Sequence, residues 1–360
     1  MNSSFWAEKS VLITGGTGTF GYAFIARLLQ TKVSRIIVFS RDEFKQSELR
    51  RAFEDDERLR FFLGDVRDKE RLMRAFRDVD FVVHAAALKQ VPALEYNPME
   101  AVKTNVLGTQ NVIEAALDAG VARVLFTSSD KAVHPVNLYG ATKLCAERLT
   151  IAANVYRRSG AQKPRFSVMR YGNILGSRGS LLEVVEKQRS SGTITLTDDR
   201  MTRFWLRIER VMDYVIEALE QMHGGEIFVP KMESVKVVDI IKCLAPDCSV
   251  RVVGIRPGEK LHETLITQHE AGRTRDIGSM YVISPEQLQF DDEPPVQGAP
   301  VGVDFIYASD NPRFLRSVEH APRILAGGSE GGSGKKQSRM KKSARTRVKS
   351  PGRAKARKST

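Results

Sequence analysis

The chain has little cysteine and no hydrophobic run long enough to cross a membrane. Its three cysteines, Cys145, Cys243 and Cys248, are an odd number without the paired spacing of a metal site. The last two could form a disulfide, although buried or idle thiols are the commoner arrangement. The longest apolar runs, such as Val79 to Val83, have the length of buried strands, and Met1 to Ser10 lacks the apolar stretch of a signal peptide. We therefore expect a protein of the reducing cytoplasm without a transmembrane segment.

The C-terminal tail, Lys335 to Lys358, contains no acidic residues and carries most of the net positive charge of the chain. The net charge is +13, and twelve lysines and arginines without one acid lie between Lys335 and Lys358, which leaves about +1 for the rest. A Gly/Ser-rich segment follows Ala326 and has the composition of a flexible linker. We expect residues 326–360 to be disordered. The tail is either a solvated extension or an electrostatic contact for an anionic partner. The tail sequence has no aromatic residues for base stacking and no amphipathic apolar face for membrane insertion.

Short apolar runs alternate with helical patterns in the first half of the chain. The runs that predict strands are Val11 to Thr14, Arg35 to Phe39, Leu59 to Leu63, Phe81 to His84 and Arg123 to Thr127. Strands that alternate with helices indicate an α/β fold, a Rossmann-type doubly wound parallel sheet. We expect residues 1–165 to form the dinucleotide-binding domain. Residues 166–325 would add the last sheet strand and a smaller, irregular substrate-binding domain, interleaved with the first.

Capping residues delimit individual helices within this pattern. The longest predicted helix runs from Pro98 to Asp118, with Asn97 as the N-cap and Gly120 just beyond its end. In the second half, a strand is predicted near residues 166–170, and helices are predicted near residues 181–190 and 208–222.

A glycine-rich segment between the first strand and the first helix predicts a dinucleotide site. Glycines there allow a tight turn and let backbone amides approach a pyrophosphate at the helix N-terminus. The residues assigned to this site are Gly15, Thr17, Gly18, Thr19, Phe20 and Gly21. The strand–turn–helix context makes the pattern specific, because a glycine pattern alone also occurs in ordinary turns.

The end of the second strand is expected to select the cofactor. Ser40 and Arg41 offer a hydroxyl and a guanidinium to a ribose 2′-phosphate, and Lys45 follows one turn later. These residues favour NADP over NAD. Asp42 leaves NAD open, because an acid at this point can bind the ribose 2′-hydroxyl. After the third strand, Asp65 and Val66 could contact the adenine, although Asp65 could instead cap the next helix.

A tyrosine and a lysine four residues apart follow the fifth strand. Tyr139 and Lys143 would share one helical face. A free tyrosine has a pKa of about 10, which a neighbouring cation and an oxidised nicotinamide would lower. Ser129, on the preceding loop, could hold a substrate hydroxyl. Similar pairs occur by chance in many helices, so the position after a nucleotide-binding sheet is what indicates catalysis.

Together these motifs resemble the extended short-chain dehydrogenase/reductase family, and seven further segments narrow the resemblance. They are His84 to Lys89, Tyr96 to Pro98, Ser129 to Ala132, Asn137 to Gly140, Arg170 to Asn173, Met201 to Trp205 and Gly254 to Leu261. The segments are similar to those of soluble, C5-inverting UDP-N-acetylglucosamine 4,6-dehydratases of pseudaminic acid synthesis. The resemblance extends from about Lys9 to Asp276 and is thin beyond Met280.

The resemblance implies a role for each member of the catalytic set. Tyr139 would take the 4-hydroxyl proton as C4 hydride passes to NADP, Lys131 would be the C5 base, and Asp130 would act at the C6 oxygen. Water would leave across C5 and C6, hydride would return to C6, and a proton would reach C5 on the opposite face. Burial beside the cofactor and Lys143 is expected to help Lys131 lose its proton. Without the other motifs, Asp130 and Lys131 would be read as a loop ion pair. Ser129 replaces the family's common threonine and Gln90 its common histidine.

Other residues are assigned to ligands by motif matching. Ala85 and Lys89 would lie at the cofactor, and the UDP-sugar would be bound by Lys89, Asn173, Arg178, Arg203, Arg256 and Glu259. The histidines have no metal-ligand spacing, and no metal site is expected. Related enzymes assemble as homo-oligomers, so we expect the same here. Two other hypotheses stay open: a UDP-hexose 4-epimerase or reductase on the same fold, and a non-catalytic NADP-binding scaffold protein.

Overall fold

The structure, a computed structural model, describes residues 4–156, 164–177, 179–286 and 296–326. The predicted linker and basic tail, residues 327–360, lie outside the described residues, as does Arg178. No helix of the described ranges is long and apolar enough to span a bilayer.

Seventeen strands occur among these residues, and the five strands predicted for the first half are confirmed to within two residues at each end. Their bounds are β1 Ser10–Thr14, β2 Arg35–Ser40, β3 Leu59–Leu63, β4 Phe81–His84, β5 Arg123–Ser129, β6 Arg165–Tyr171, β7 Asn173–Leu175, β8 Thr193–Leu196, β9 Thr202–Arg207, β10 Ile227–Pro230, β11 Glu233–Lys236, β12 Ser249–Val252, β13 Thr264–Ile266, β14 Thr274–Asp276, β15 Met280–Ile283, β16 Ala299–Pro300 and β17 Tyr307–Ala308.

Helices fill the intervals between the strands. The α-helices are α1 Thr19–Leu28, α2 Glu43–Ala52, α3 Lys69–Ala75, α4 Val91–Tyr96, α5 Pro98–Ala101, α6 Gly108–Ala119, α7 Leu138–Ala152, α8 Leu181–Arg189, α9 Ile208–Gln221, α10 Val237–Leu244, α11 Gln268–Ala271 and α12 Ala321–Ala326. There are also short 3₁₀ segments at Asp130–Ala132, Ala153–Tyr156 and Val318–His320. A π-helical segment spans Val102–Leu107.

The central sheet has the strand order of a dinucleotide-binding fold. Ten strands run in the order β16-β14-β15-β10-β6-β5-β4-β1-β2-β3. The seven from β3 to β10 are mutually parallel, and β15, β14 and β16 continue antiparallel. Between β1 and β4 the order reverses direction, and ligands bind at such a switch point beyond the carboxyl ends of the strands. The predicted Rossmann-type fold is confirmed.

Both faces of the sheet are covered, which explains why its strands read as nearly continuous apolar runs. Successive side chains of a strand point to opposite faces. Ile13 of β1 accordingly joins the core with Phe24 and Leu28 of α1. Its neighbour Leu12 joins a separate core on the other face with Val112 of α6.

The predicted helix from Pro98 to Asp118 is present, with a π-helical interruption. Segments α5, Val102–Leu107 and α6 follow one another without a break, and Gly120 ends the run at φ 69°. Within the interruption, Asn105 donates to the Leu88 carbonyl (2.9 Å) and to Thr142 Oγ1 (3.0 Å), and it accepts from the Leu88 amide. The widened turn therefore ties the loop after β4 to α7, and π-segments of this kind are frequent at functional sites.

The second half of the chain builds smaller sheets beside the main one. Strand β9 pairs with β7 and β11, β12 pairs with β8, and β13 pairs with β17. Strand β6 and helices α8 and α9 match the elements predicted there. Because β6, β10, β14, β15 and β16 all return to the central sheet, the second half is interleaved with the first.

Candidate active site

A cavity of about 940 Å³ lies beyond the carboxyl ends of the central strands. This volume is at the upper end of those of ligand pockets. The lining includes every predicted catalytic residue and all predicted cofactor residues but Gly21. The sequence motifs, which are spread over about 160 residues, thus meet at one place.

The glycine turn is shaped by backbone packing that leaves no room for side chains. Gly15 adopts φ +69°, and a Cβ there would lie 2.9 Å from Ala86 Cα. A Cβ on Gly21 would lie 2.2 Å from the Gly16 carbonyl oxygen, so Gly21 serves helix packing and does not line the cavity. Helix α1 begins after Gly18 without a side-chain cap. Helix N-termini present backbone amides that can donate to a phosphate, and this setting fits a dinucleotide pyrophosphate.

The segment after β2 brings two cations to the cavity. Arg41 and Lys45 line it together with Ser40 and Asp42. Asp42 is already engaged: it caps α2 by accepting from the Lys45 amide (3.0 Å), and its Oδ2 lies 2.6 Å from Lys45 Nζ. The hydrogen bond from Lys45 lowers the pKa of Asp42, which keeps it ionised. Gln46 donates to Ser40 Oγ at 3.0 Å.

Residues after β3 and β4 complete the wall on this side. Asp65, Val66 and Ala85 all line the cavity. Asp65 Oδ2 lies 2.7 Å from Arg67 and 3.5 Å from Arg41. The alternative that Asp65 caps the next helix is wrong, because Asp68 caps α3 by accepting from the Arg71 amide.

Tyr139 and Lys143 lie one turn apart on α7 and both are buried. Lys143 Nζ donates to the Thr127 carbonyl at 2.7 Å and lies 4.4 Å from the centroid of the Phe126 ring. Ser129 hydrogen-bonds to Tyr139 and also accepts from the Lys131 amide at 3.0 Å. Its hydroxyl therefore connects Tyr139 to the 3₁₀ turn that carries Asp130 and Lys131.

Burial governs the ionisation of this pair. Burial lowers the pKa of Lys143 to about 7, with Glu147 opposing the change. Burial also raises the pKa of Tyr139, while Lys131 and the hydrogen bond from Ser129 act to lower it. In this structure the cation that favours the Tyr139 phenolate is thus Lys131, whereas the sequence had suggested Lys143.

Asp130 and Lys131 form an ion pair at the floor of the cavity. Lys131 Nζ lies 3.1 Å from Asp130 Oδ1 and 3.8 Å from Glu263 Oε1. Burial disfavours the ammonium, but Asp130 and Glu263 together outweigh it and raise the pKa of Lys131. Burial therefore acts in the expected direction, but the expectation that Lys131 would lose its proton more easily is wrong, because Asp130 and Glu263 outweigh burial.

Further polar side chains line the cavity. Lys89 and Asn173 line it, as predicted. Six lining residues carry buried side-chain atoms without a hydrogen-bond partner among the described residues: Thr104 Oγ1, Ser128 Oγ, Asp130 Oδ2, Asn173 Oδ1, Ser180 Oγ and Trp205 Nε1. Buried polar atoms are rarely left unpaired, so this concentration fits a polar ligand such as a sugar.

Three residues assigned to the substrate lie outside the cavity lining of the described residues. Arg203 is buried and donates to the carbonyl oxygens of Thr202, Lys260 and Leu261. Its guanidinium therefore holds the loop at Lys260 and Leu261 in place. The structure does not support the predicted contact between Arg203 and a diphosphate. Arg256 and Glu259 pair with each other at 3.9 Å, on a turn whose Gly258 carbonyl accepts from Asn137 at the start of α7.

Histidines near the site serve hydrogen bonding. His84 connects Thr14 Oγ1 (2.7 Å) to Thr109 Oγ1 (3.0 Å), and burial lowers its pKa to about 3. His262 is hydrogen-bonded to Thr202 Oγ1 at 2.8 Å. Within the part of the chain that the structure describes, no group of three potential metal ligands comes together.

Comparison with known proteins matches residues 11–285 to a family described as polysaccharide biosynthesis protein. A relative from Campylobacter jejuni, named UDP-N-acetylglucosamine 4,6-dehydratase (inverting), is 48% identical over 329 residues. The alignment covers 88% of this chain and 97% of that relative.

Solved structures agree with this assignment. Pen from Bacillus thuringiensis superposes with a TM-score of 0.80 at 37% identity, over 90% of this chain and 99% of that one. DesIV, a dTDP-glucose 4,6-dehydratase from Streptomyces venezuelae with NAD and TYD bound, superposes with a TM-score of 0.62 at 26% identity, over 70% and 86%. The chain thus belongs to the polysaccharide biosynthesis protein family, within the extended short-chain dehydrogenases/reductases.

Proposed function

We propose that this chain is an NADP-dependent, C5-inverting UDP-N-acetylglucosamine 4,6-dehydratase. The observation that carries the proposal is the Asp130–Lys131 ion pair, which lines the same cavity as Tyr139 and Lys143. A 4-epimerase needs only an acid–base group at the C4 hydroxyl. A dehydratase also needs a base at C5 and an acid at the C6 oxygen, and this pair supplies both groups.

Oxidation at C4 uses Tyr139 as the base for the 4-hydroxyl proton. A dinucleotide held by the glycine turn and the segment after β2 would supply the redox chemistry, as a temporary store for the hydride that moves from C4 to C6. Lys131 and Ser129 both favour the Tyr139 phenolate, and Lys143 is fixed on Thr127 and Phe126 beside it. Ser129 is positioned to hold the substrate hydroxyl.

Elimination across C5 and C6 follows from a proton shift within the ion pair. In the resting pair the proton is on Lys131 Nζ, 3.1 Å from the Asp130 carboxylate. Its transfer to Asp130 leaves a neutral amine, which can remove the C5 proton, and a carboxylic acid, which can protonate the departing C6 hydroxyl. The C5 proton is acidic once C4 is a ketone, so the pair acts after Tyr139.

The cation pair at the end of β2 supports NADP as the cofactor. Arg41 and Lys45 face the cavity, and the Asp42 carboxylate is engaged by α2 and Lys45. An acid that caps a helix is less available to a ribose hydroxyl, which weakens the NAD alternative. Asp65, Val66 and Ala85 would border the adenosine half, and Lys89 would lie at the other end.

The UDP-sugar would occupy the wall formed by Lys89, Asn173 and the unpartnered polar atoms around them. Arg178 stays a candidate for the diphosphate. A cytoplasmic location, a homo-oligomer, the division into domains at residue 165 and an anionic partner for the basic tail all stay predictions.

The test is incubation of the purified chain with UDP-N-acetylglucosamine and NADP, followed by mass spectrometry. The expected product has lost one water. Lys131→Met should stop the loss of water, but reduced nicotinamide should still be detected by absorbance. Tyr139→Phe should stop both the loss of water and the formation of reduced nicotinamide. Lys69→Met, on the surface, should leave both unchanged. An isomer of unchanged mass would identify a 4-epimerase, and a nucleotide-binding chain without turnover would favour the scaffold hypothesis.

A further inference from the structure

Glu263 is a buried carboxylate of the active site that no sequence motif had indicated. It precedes β13, and its side chain is only 3% exposed. Ser309 fixes its backbone from both directions: the Glu263 amide donates to Ser309 Oγ at 2.9 Å, and the Ser309 amide donates to the Glu263 carbonyl at 2.8 Å. The backbone that carries this carboxylate is therefore held in place by a segment distant in sequence.

Three cations surround this carboxylate. Lys131 Nζ and Arg203 Nε each lie 3.8 Å from Oε1, and Lys260 Nζ lies 3.3 Å from Oε2. Asp130 is the second anion of the cluster. Tyr139 borders it on the α7 side, and His262, the preceding residue, is engaged with Thr202.

Two of the three cations are anchored independently of Glu263. Arg203 donates to three backbone carbonyl oxygens, and Lys260 Nζ donates to the Val133 carbonyl at 2.5 Å. Lys131 differs, because the partners of its amine among the described residues are the carboxylates of Asp130 and Glu263, and its side chain is 31% exposed. Glu263 is thus a buried charge, and Lys131 is the one of the three cations whose amine is paired with carboxylates and not with backbone carbonyl oxygens.

We propose that Glu263 is a positioning residue that holds the Lys131 ammonium beside Asp130 and controls when that amine can act as a base. This inference rests on the proposed function, since it concerns the residue assigned there to C5. Glu263 favours the ammonium and so opposes its premature loss of a proton. Transfer of that proton to Asp130 then becomes the step that releases the base, with the total number of protons in the cluster unchanged.

The effect of Glu263 on Lys131 has a defined direction. An opposite charge within about 4–6 Å moves an ionisation midpoint by about one to three pH units. Glu263 acts in this sense on the pKa of Lys131, second only to Asp130 among the groups that raise it. Removal of the Glu263 charge should therefore let Lys131 deprotonate at lower pH.

The experiment measures the protonation of Lys131 directly. The full-length protein is labelled with acetic anhydride over a pH series, and acetylation of Lys131 is followed by peptide mass spectrometry against exposed Lys242. In Glu263→Gln, the midpoint should fall by about one pH unit or more. Glu226→Gln is the matched control: Glu226 is also buried, but it accepts from Ser167 and from the His223 and Gly224 amides, and it should leave the midpoint unchanged.

A second variant covers the case in which Glu263→Gln does not fold. Glu263→Asp keeps the charge but withdraws it from Nζ, so the midpoint should fall by a smaller amount. A midpoint at or above the wild-type value in either folded variant overturns the proposal. Labelling requires no turnover, so failure of the dehydratase assignment would appear separately as an unchanged UDP-sugar. Where turnover is present, the basic limb of its pH profile should move to lower pH in Glu263→Gln, because the one proton that the Asp130–Lys131 pair shares is then lost at lower pH.

Discussion

Replacement of Arg41 by serine should weaken NADP binding without weakening NAD binding. Arg41 lies just after β2, and its side chain is 54% exposed on the wall of the cavity. Its ion pair with Asp65, the one it makes among the described residues, is long at 3.5 Å. The guanidinium can therefore turn to bind a ribose 2′-phosphate at the cost of only this weak ion pair.

The magnitude follows from the exposure of the contact. Hydrogen bonds to charged groups contribute about 1.5–3 kcal/mol, and solvent screening at a half-exposed site favours the lower end. Since about 1.4 kcal/mol corresponds to a tenfold change in affinity, Arg41→Ser should raise the NADP dissociation constant about tenfold. The NAD dissociation constant should not change.

Calorimetric titration of both nucleotides at one salt concentration measures this difference. Arg50→Ser is the matched control, because Arg50 is 55% exposed, pairs with Asp55 at 4.0 Å and lies outside the cavity lining. The control should bind both nucleotides as the wild type does. Equal weakening of NADP and NAD by Arg41→Ser, or no weakening, would refute the assignment of the 2′-phosphate to this residue.

Three further changes test the scaffold of the site. Arg170→Met would leave the buried Glu147 and Glu270 carboxylates, now 2.8 and 3.0 Å from Arg170, without their cation; unfolding by urea should show a loss of about 3–5 kcal/mol. The pKa of His84 is lowered to about 3, so the unfolded state binds more protons than the folded state below about pH 6.5. As the pH is lowered from about 6.5 to about 5, His84 should therefore reduce the free energy of unfolding by about 1.4 kcal/mol per pH unit. His84→Asn should make this loss smaller. Gly15→Ala would force a Cβ to 2.9 Å from Ala86 Cα at φ +69°, so both NADP and NAD should bind more weakly in the same titration, whereas Gly176→Ala, also at positive φ but without a neighbour within 4 Å, should bind them normally.

The sheet and one end of the cavity could be predicted because their signals are local. Parallel strands buried on both faces give apolar runs, and the glycine turn is a contiguous segment, so the sequence alone placed Gly15 and Arg41 at the cavity. Tyr139 and Lys143 share a helical face because of their spacing alone. Gly21 was assigned to the cofactor, yet it serves the packing of α1 on the turn, a distinction that spacing cannot reveal.

The substrate half depends on contacts between distant segments. Glu263 reaches Lys131 from 132 positions later in the chain, and together with Asp130 it reverses the expected direction of the Lys131 pKa. Lys260, three residues before Glu263, was a sequence signal of a charged cluster. Nothing in the sequence indicated which other cations contact Glu263. Arg203 was assigned to a diphosphate from its motif, although its donors are taken up by carbonyl oxygens.

The central claim is that the site oxidises C4, eliminates water across C5 and C6, and ends with its redox state restored. The most direct test is incubation with UDP-N-acetylglucosamine that carries deuterium at C4, followed by NMR of the product. We expect a 4-keto-6-deoxy sugar of L configuration with the label at C6. A label that stays at C4 of an epimer, or a product that keeps its C6 oxygen, would contradict the claim.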